Sequence, residues 1–154
     1  MIERCTSMTH RGWIELRREL WPKCSESRHL AEISATCSGP ERLCAFVAYD
    51  DAGRPIGFVE ASARTDHVNG TNSSPVGYIE GIYVIPNARL QGLARALVQM
   101  AEAWARDVGC VEMASDARIE NEPSHALHRA LGFAETMRVV LFHKELAAKE
   151  SHDV

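Results

Sequence analysis

Features that mark several common classes of protein are missing from this chain of 154 residues. No run approaches the roughly 18 apolar residues of a membrane-spanning helix, so no membrane insertion is expected. Residues 1–6 lack the apolar core of a signal peptide, which favours a cytoplasmic protein. The net charge of −4 provides no basic surface for a nucleic acid, whereas an acidic cleft would attract a polycation.

Motifs for metals, disulfides and the common nucleotide loops are also missing. The five cysteines form an odd set without a C-x-x-C pair, so reduced thiols are expected rather than a zinc site or a disulfide framework. No H-x-x-x-H or H-E-x-x-H pattern suggests a metal. The absence of Gly-Lys-Ser/Thr and of G-x-G-x-x-G argues against a P-loop and a Rossmann turn.

What is present predicts a globular fold with mixed secondary structure. With 45% apolar and 25% charged residues, one compact domain over residues 1–154 is expected. Hydrophobic periodicity predicts four helices, at residues 9–21, around 30–37, at 93–108 and at 121–131. It predicts strands at residues 43–49, 55–64, 77–85 and 110–114, and one or two more strands within 133–146. Thr9 is the expected cap of the first helix, residues 65–75 form a long loop, and the polar tail after residue 149 is expected to be frayed. The order of elements predicts a mixed α/β (α+β) fold.

The segment between the predicted strand 77–85 and helix 93–108 is typical of an anion site. Unpaired N–H groups of a first helical turn, together with the positive end of the helix dipole, attract a phosphate. Gly92 and Ala94 allow the main chain to approach closely, while Arg89 and Gln91 add side-chain donors. The residues from Arg89 to Ala94, Leu93 among them, are therefore predicted to bind a pyrophosphate. The alternative is an ordinary strand-to-helix turn.

Two blocks of residues carry a recognisable family pattern. The first block follows the pattern Val-x-Pro-x-x-Arg-Gly-x-Gly-x-Gly/Ala. Its matching residues are Val84, Pro86, Arg89, Gly92 and Ala94, and Leu90 stands in place of a glycine. The second block follows the pattern Asn-x5-Leu-Tyr-x3-Gly-Phe. Its matching residues are Asn121, Leu127, Gly132 and Phe133. In both blocks the chain resembles the GNAT superfamily of acetyl-CoA-dependent N-acetyltransferases. The resemblance implies the GNAT fold, a central mixed sheet flanked by helices in which two parallel strands splay to admit the cofactor.

Further stretches narrow the resemblance. They are Leu20-Trp21-Pro22, residues 66–70 and 73–75, Glu80-Gly81, and residues 112–116 and 130–133. In these the chain is similar to the aminoglycoside 6'-N-acetyltransferases of the chromosomal enterobacterial and Acinetobacter type. The resemblance implies acetyl-CoA as cosubstrate, an aminoglycoside or other cationic amine as substrate, and a homodimer, which in some relatives exchanges C-terminal strands.

Glu80 is the most informative ionisable residue because it interrupts an otherwise apolar strand. Strict alternation would place it on the face of Tyr78, Ile82 and Val84. A buried carboxylate without a partner is unfavourable, so Glu80 must meet a cation, a donor or water. It is either a structural partner of an arginine or the group that binds the substrate's ammonium and accepts its proton.

Four more residues are candidates for substrate binding. Asp116 ends a short strand, where open α/β sheets place their ligands, although an aspartate there can simply cap a turn. The resemblance implies that Asp116 holds an aminoglycoside amine and that Trp21 lies against the sugar rings, with a core position as the alternative for Trp21. His67 in the long loop and Glu135 are weaker candidates, and Glu135 can equally be an exposed strand residue.

The acid that protonates the departing thiolate is the point at which the chain departs from the family. His128 stands where the superfamily has a tyrosine, and a histidine can donate a proton near neutral pH or pack within a helix. The resemblance implies that Asn121 bonds the pantetheine arm, with helix capping as its alternative. The main chain of Ile82, Tyr83 and Val84 can pair with that arm as another strand would, and the Val84 N–H can also stabilise the oxyanion.

The first functional hypothesis is therefore transfer of acetyl from acetyl-CoA to the 6'-amine of an aminoglycoside, by direct attack of the amine. The catalytic candidates are Glu80, Asp116 and His128. One alternative is a GNAT enzyme for another amine, such as a polyamine, an amino acid or a protein N-terminus. A second alternative is an acyl-CoA-binding module without turnover.

Overall fold

The computed structural model describes residues 1–149, in which a five-stranded sheet is flanked by four α-helices. The elements are, in chain order, β1 (Ile2–Arg4), α1 (Trp13–Leu20), α2 (Glu26–Ser38), β2 (Leu43–Tyr49), β3 (Pro55–Arg64), β4 (Val76–Val84), α3 (Leu93–Asp107), β5 (Met113–Ser115) and α4 (Glu122–Ala130). None of the helices in this part of the chain combines the length and apolar character that crossing a bilayer requires. The tail after residue 149, expected to be frayed, lies outside the described residues.

The strands follow one another across the sheet in chain order. β1 to β4 are antiparallel neighbours, and β5 lies parallel to β4 at the edge. On one face, Leu97 and Trp104 of α3 belong to a core with strand residues. On the other face, Trp13 of α1 and Ile33 of α2 form a second core with β2 and β3. The predicted mixed α/β architecture is confirmed.

Most predicted elements are present, but two of them begin later than predicted. The first helix begins at Trp13 rather than Thr9, because Gly12 takes a left-handed conformation with φ 81° and ends the preceding turn. The short fifth strand begins at Met113 rather than at residue 110, because the Cys110 N–H still bonds to the C-terminus of α3. The bounds of β2 and β3 are as predicted.

A β-bulge at Glu80 interrupts the pairing of β4 with β3. Ile79 pairs with Ala61, and the next pair joins Gly81 to Glu60, so Glu80 is the extra residue. An extra residue in one strand shifts the alternation of its side chains between the two faces of the sheet. The bulge therefore changes the direction in which the second half of β4 presents its side chains.

The change of face corrects the expected surroundings of Glu80. Ile79 before the bulge and both Ile82 and Val84 after it pack in the core beneath α3. Tyr78, next to Ile79, consequently lies on the opposite face, towards α1 and α2. Glu80 shares that side with Tyr78, so the prediction that it shares a face with Ile82 and Val84 is wrong.

Strands β4 and β5 separate at the bulge. Their parallel pairing joins Gly77, Tyr78 and Ile79 to the three residues of β5, and it ends at Ile79 and Ser115. From Glu80 to Val84, the outer edge of β4 has no strand beside it in the described part of the chain. The expected splay of two parallel strands is confirmed, and it leaves main-chain groups of β4 open for a ligand.

The strands predicted within 133–146 are not formed. Residues 133–149 contain neither helix nor strand. Val140, Leu141 and Phe142 are exposed, Phe142 to 93% of its surface. The prediction is wrong for the single chain because a strand forms only beside another strand that pairs its N–H and C=O groups, and no described strand pairs with this segment.

A buried ionic network fixes α1 and α2 to the sheet. Arg17 Nη1 lies 2.5 Å from both carboxylate oxygens of Glu60, and the Trp13 indole donates to the same carboxylate at 2.6 Å. Arg17 also donates from Nε to Nδ1 of His29 at 3.2 Å and pairs with Glu32 of α2. Loss of one member would leave a buried charge without its partner, so the network holds both helices in one position.

Candidate active site

The segment that follows β4 turns once and then opens α3. Pro86–Ala88 form one turn of 3-10 helix, and Gly92, with φ 81°, begins α3 without a side-chain cap. The first N–H groups of a helix have no partner within the helix itself. Across the described residues, no side chain caps this turn, so its main-chain donors remain available for an anion.

The two side chains predicted to add donors bind the turn itself. Arg89 Nε donates to the carbonyl oxygen of Val84 at 2.8 Å, and its guanidinium lies 5.6 Å from the ring centre of Tyr83. Gln91 Nε2 donates to the carbonyl oxygen of Asn87 at 3.2 Å. Both side chains brace the turn, and their role as donors to a phosphate stays a prediction.

Leu90 holds a backbone conformation that suits glycine. Its φ is 61°, and it is the only residue other than glycine with a positive φ in residues 1–149. Its side chain is fully exposed, so no packing compensates for the strain. Leu90 is also the position at which the family pattern has a glycine, and the structure shows why glycine suits it.

Glu80 is held by donors from β3. Ser62 Oγ donates to Glu80 Oε1 at 2.5 Å, while Arg64 donates from Nε and Nη2 to Oε1 at 3.0 and 2.9 Å, and from Nη2 to Oε2 at 2.9 Å. The expectation that this carboxylate must meet a cation or a donor is confirmed. Both members of the pair remain partly open to solvent, with 41% of the Arg64 side chain and 35% of the Glu80 side chain exposed.

Asp116 is joined to the same cluster through Tyr78. The Tyr78 hydroxyl donates to Asp116 Oδ2, and the Arg64 guanidinium lies 3.4 Å from the centre of the Tyr78 ring. Burial, and then the hydrogen bond to Asp116, raise the pKa of Tyr78, so the phenol keeps its proton and remains a donor. One chain of contacts thus runs from Glu80 through Arg64 and Tyr78 to Asp116.

The two carboxylates flank the point at which the strands part. Ile79 and Ser115 form the last pair of β4 and β5. Glu80 directly follows the first of these residues and Asp116 directly follows the second. The opening between the strands is therefore bordered by two acidic side chains.

Trp21 packs on Gly81, the residue that follows Glu80. Its ring packs so closely on Gly81 that a Cβ there would lie 2.5 Å from two ring carbons. The Phe58 ring meets it edge to face with centres 5.9 Å apart, and the Arg17 guanidinium lies 4.7 Å from its centre. These contacts fix the indole while leaving it partly exposed next to the acidic cluster.

His67 lies in the long loop beside the same cluster. It borders a cavity of about 500 Å³ whose lining includes Ser62, Arg64 and Asp66. The loop is tied down by Glu112, which accepts from the Asn72 N–H at 2.9 Å and from Ser73 Oγ at 2.5 Å. The structure thus brings His67 close to Arg64, at the border of the cluster.

Asn121 and His128 lie on α4. Asn121 Oδ1 accepts from the Ser124 N–H at 3.2 Å, which is the helix-cap geometry considered as its alternative role. His128 Nδ1 lies 2.7 Å from the Ser124 carbonyl oxygen, and its Nε2 lies 2.8 Å from Ser115 Oγ. Because a carbonyl only accepts, Nδ1 carries the proton of the neutral ring, and Ser115 donates to Nε2.

Glu135 is placed differently from the other candidates. It is exposed in the segment 133–149 and pairs with Arg138 at 2.5 Å. That hydrogen bond lowers the pKa of Glu135. In the single chain its described partner is Arg138, and the contacts that join Glu80, Tyr78 and Asp116 do not include it.

Three residues of the cluster were missed by sequence reasoning: Ser62, Arg64 and Tyr78. Ser62 lies opposite Tyr78 in the β3–β4 register, and Arg64 follows on the same face. Alternation along β3 predicts that 62 and 64 share a face. Alternation along β4 also places Glu80 on the face of Tyr78, but the register that sets Ser62 opposite Tyr78 has no signal in the sequence, so the common partner of these residues was not found.

Cysteines take no part in this cluster. All five are free thiols. Burial raises the pKa of Cys44 to about 12, so this thiol stays protonated at neutral pH. Among residues 1–149, no group of three or more His, Cys, Asp or Glu side chains is arranged to hold a metal ion.

Comparison with known proteins decides the family. The model of the acetyltransferase (GNAT) family matches residues 10–133, most of the chain. The chain belongs to the GNAT acetyltransferase family. The family resemblance read from the two blocks of residues is thereby confirmed.

Individual GNAT relatives are similar over nearly the whole length. The aminoglycoside N(6')-acetyltransferase type 1 of Acinetobacter genomosp. 13 is 48% identical over 134 residues, which cover 87% of this chain and 90% of the relative. The structure of AAC(6')-Iy in complex with the bisubstrate analogue CoA-S-monomethyl-acetylneamine has a TM-score of 0.89 and 40% identity, covering 95% of this chain and 98% of that one. The ligand-free 6'-N-acetyltransferase AAC(6')-IG of Acinetobacter haemolyticus has a TM-score of 0.87 and 43% identity, covering 96% and 99%.

We predict that Leu90→Gly stabilises the protein. A left-handed residue other than glycine costs about 1–2 kcal/mol, and the greater freedom of an unfolded glycine offsets about 0.5–1 kcal/mol of the gain. The melting temperature should rise by about 2–4 °C, measured by scanning calorimetry. Leu90→Ala is the matched control, because alanine keeps the strain, and it should give no rise. Equal melting temperatures for the glycine and alanine variants would contradict the assignment of strain.

We predict that His128→Phe slows turnover if His128 supplies the proton for the leaving thiolate. The loss of an acid–base group should lower kcat by about 100-fold at saturating substrate. His125→Phe, on the same helix, is the control, since His125 bonds the carbonyl oxygen of Arg118 instead. A change in melting temperature with kcat unaltered would assign His128 to packing against Phe133, whose ring centre lies 5.4 Å away.

Proposed function

We propose that this GNAT protein is an aminoglycoside 6'-N-acetyltransferase, which transfers acetyl from acetyl-CoA to the 6'-amine of an aminoglycoside antibiotic. The observation that carries the proposal is the position of Glu80 and Asp116, one on each side of the opening between β4 and β5. An aminoglycoside is a polycation, and two carboxylates at one opening attract it. The names of the relatives similar over most of the chain support the same reaction.

The open edge of β4 and the start of α3 are the proposed acetyl-CoA site. The extended pantetheine arm would pair with the main chain of Ile82, Tyr83 and Val84, as an added strand would. The pyrophosphate would bind the N–H groups from Gln91 to Ala94, with Arg89 bracing the turn. Asn121 keeps its side-chain N–H₂ for the arm while its oxygen caps α4.

The face of β4 that carries Glu80, together with Asp116 just after β5, is the proposed aminoglycoside site. Trp21 presents a fixed aromatic face to a sugar ring, and Glu80 and Asp116 bind ammonium groups. His67 borders the cavity beside Arg64. Glu135 would add negative charge if a second chain positioned its segment near the opening.

Acetyl transfer needs few groups. The amine must lose a proton before it attacks, which we assign to Glu80 directly or through a water molecule. The carbonyl oxygen gains negative charge as the amine adds, and the N–H of Val84 is the donor proposed to stabilise it. The thiolate leaves and takes a proton that we assign to the imidazolium form of His128, which would pass it from Nε2 through the Ser115 hydroxyl, 2.8 Å away. His128 is then left neutral, with its remaining proton on Nδ1 bonded to the Ser124 carbonyl oxygen. Positioning of the amine against the thioester supplies much of the remaining acceleration.

The cytoplasm is the compartment that we propose for this reaction. All five thiols are free, which fits a reducing interior.

Thiol release from acetyl-CoA, measured with aminoglycosides, polyamines and peptides, tests the proposed reaction. We expect release with aminoglycosides that carry a 6'-amine, and Glu80→Gln should lower kcat/KM by about 100-fold or more, because the base is lost. Acetyl-CoA binding, measured by calorimetry, should be unchanged in this variant.

The matched control for Glu80→Gln is Glu26→Gln. This change removes the same charge from an exposed ion pair with Arg18 on α1 and α2, and it should leave the rates unchanged. Release only with polyamines or peptides would favour another GNAT enzyme. Binding of acetyl-CoA without release from any amine would favour the non-catalytic module.

We further propose that two chains associate through the segment 133–149. This segment exposes Val139, Val140, Leu141 and Phe142 in succession, which would be unfavourable in an isolated chain. The outer edge of β5 has no strand beside it in the described structure, and an open edge accepts an added strand. A second copy would cover both the apolar residues and a strand edge, and the family resemblance includes such dimers.

The oligomeric state is measured by sedimentation equilibrium. We expect about twice the chain mass of 17.1 kDa. Phe142→Asp should shift the population to the single chain, because it places a charge among the covered apolar residues. Met8→Asp is the control, since Met8 is an exposed apolar residue outside the segment. A wild-type protein that sediments as one chain would rule out the association.

A further inference from the structure

We propose that Arg64 is an internal competitor for the substrate, a cation that occupies the Glu80 carboxylate until a substrate ammonium displaces it. This inference rests on the proposed function, since it deepens the role given to Glu80. It assigns to Arg64 the control of substrate affinity, while proton transfer stays with Glu80.

The contacts of Glu80 show that Arg64 already bonds both oxygens of the carboxylate. Arg64 gives three hydrogen bonds of 2.9 to 3.0 Å to the two carboxylate oxygens, and Ser62 adds one to Oε1. A carboxylate offers a limited number of lone-pair positions. Oε1 accepts three of these bonds and Oε2 accepts one, so a substrate ammonium can replace Arg64 as the cation on both oxygens only if Arg64 gives up its bonds.

A second arginine–glutamate pair in the same fold is an example of an ion pair that does not exchange its partners. The side chains of Arg17 and Glu60, between α1 and β3, are 1% and 10% exposed, and both are held by further partners. In the Arg64–Glu80 pair, by contrast, 41% and 35% of the side chains are open to solvent. Water can solvate the exposed pair when it separates, whereas the buried pair has no such replacement. Arg64 can therefore be replaced by another cation at its carboxylate, whereas Arg17 cannot.

The surroundings of Arg64 provide a place for the displaced side chain. Arg64 lines the cavity of about 500 Å³ that Asp66 also lines, so another carboxylate lies nearby. The Tyr78 ring, 3.4 Å from the guanidinium, borders the starting position. A rotation of Arg64 towards the loop would open Glu80 without unfolding any element.

The electrostatic consequence is a lowered affinity for every cationic substrate. Replacement of one cation by another at Glu80 yields little net Coulomb energy, so binding depends on the additional contacts that a polycation makes with Asp116. Arg64→Gln removes the competitor and also the repulsion between Arg64 and the other ammonium groups. The aminoglycoside should then bind more tightly.

The experiment measures aminoglycoside binding and turnover for Arg64→Gln. We expect the calorimetric Kd and the KM for kanamycin to fall about five- to tenfold at low ionic strength, with kcat within about threefold of wild type. The ratio should shrink as salt is added, because salt screens exposed charges. Arg64→Lys keeps a competing cation and should restore values near wild type. Arg54→Gln, which removes the same charge from the exposed Asp50 pair, should leave Kd unchanged.

A double variant identifies the site of competition. In the Glu80→Gln background, Arg64→Gln should tighten kanamycin binding clearly less than it does alone, because no carboxylate is left to compete for and only the repulsion between Arg64 and the ammonium groups is relieved. Equal tightening in the two backgrounds, or a Kd that is unchanged or weaker in Arg64→Gln alone, would overturn the proposal. A fall in kcat at unchanged KM would also overturn it, since Arg64 would then position Glu80 instead.

Calorimetry keeps this test separate from the proposed reaction. If wild-type protein binds kanamycin but acetylates no aminoglycoside, the proposed reaction fails while the Kd values still decide the role of Arg64. Melting temperatures of all variants, measured in parallel, identify any that are misfolded.

Discussion

The bulge at Glu80 is the constraint on which the geometry of the site depends. It occurs directly after the last pair between β4 and β5, so one irregularity coincides with the parting of the two strands. Before it, Ile79 faces α3; after it, Ile82 and Val84 face α3, and the extra residue presents its carboxylate to the other side. The same strand therefore offers main-chain groups at its edge and an acidic side chain towards α1 and α2.

Ion pairs on that side of the sheet have two different tasks. The buried pair of Arg17 and Glu60 fixes α1, and with it the position of Trp21, whose ring lies against Arg17 and Gly81. The partly exposed contacts of Glu80 are of another kind, because solvent can replace them. The fixed Trp21 ring next to the partly exposed Glu80 carboxylate is a suitable arrangement for a ligand that carries several ammonium groups.

Local sequence patterns were sufficient to predict the helices and strands whose bounds depend only on the residues within them. The bounds of β2 and β3, the long helix α3 and the glycine-led start of that helix follow from periodicity and from Gly92. Predictions that needed a distant partner were incomplete or wrong. Strands within 133–146 require a neighbour that the single chain does not provide, and Arg64 reaches Glu80 across sixteen residues of sequence.

By itself the sequence determined the family, the glycine-led turn that we propose as the anion site, and the two carboxylates, because each depends on residue type and short spacing. Only the tertiary structure decided that Ile82 and Val84 leave the face of Glu80, that Arg64 and Ser62 bond its oxygens, and that Tyr78 donates to Asp116. The physical reason is that one inserted residue in a strand reverses its faces, and whether a residue is inserted depends on the pairing with the neighbouring strand.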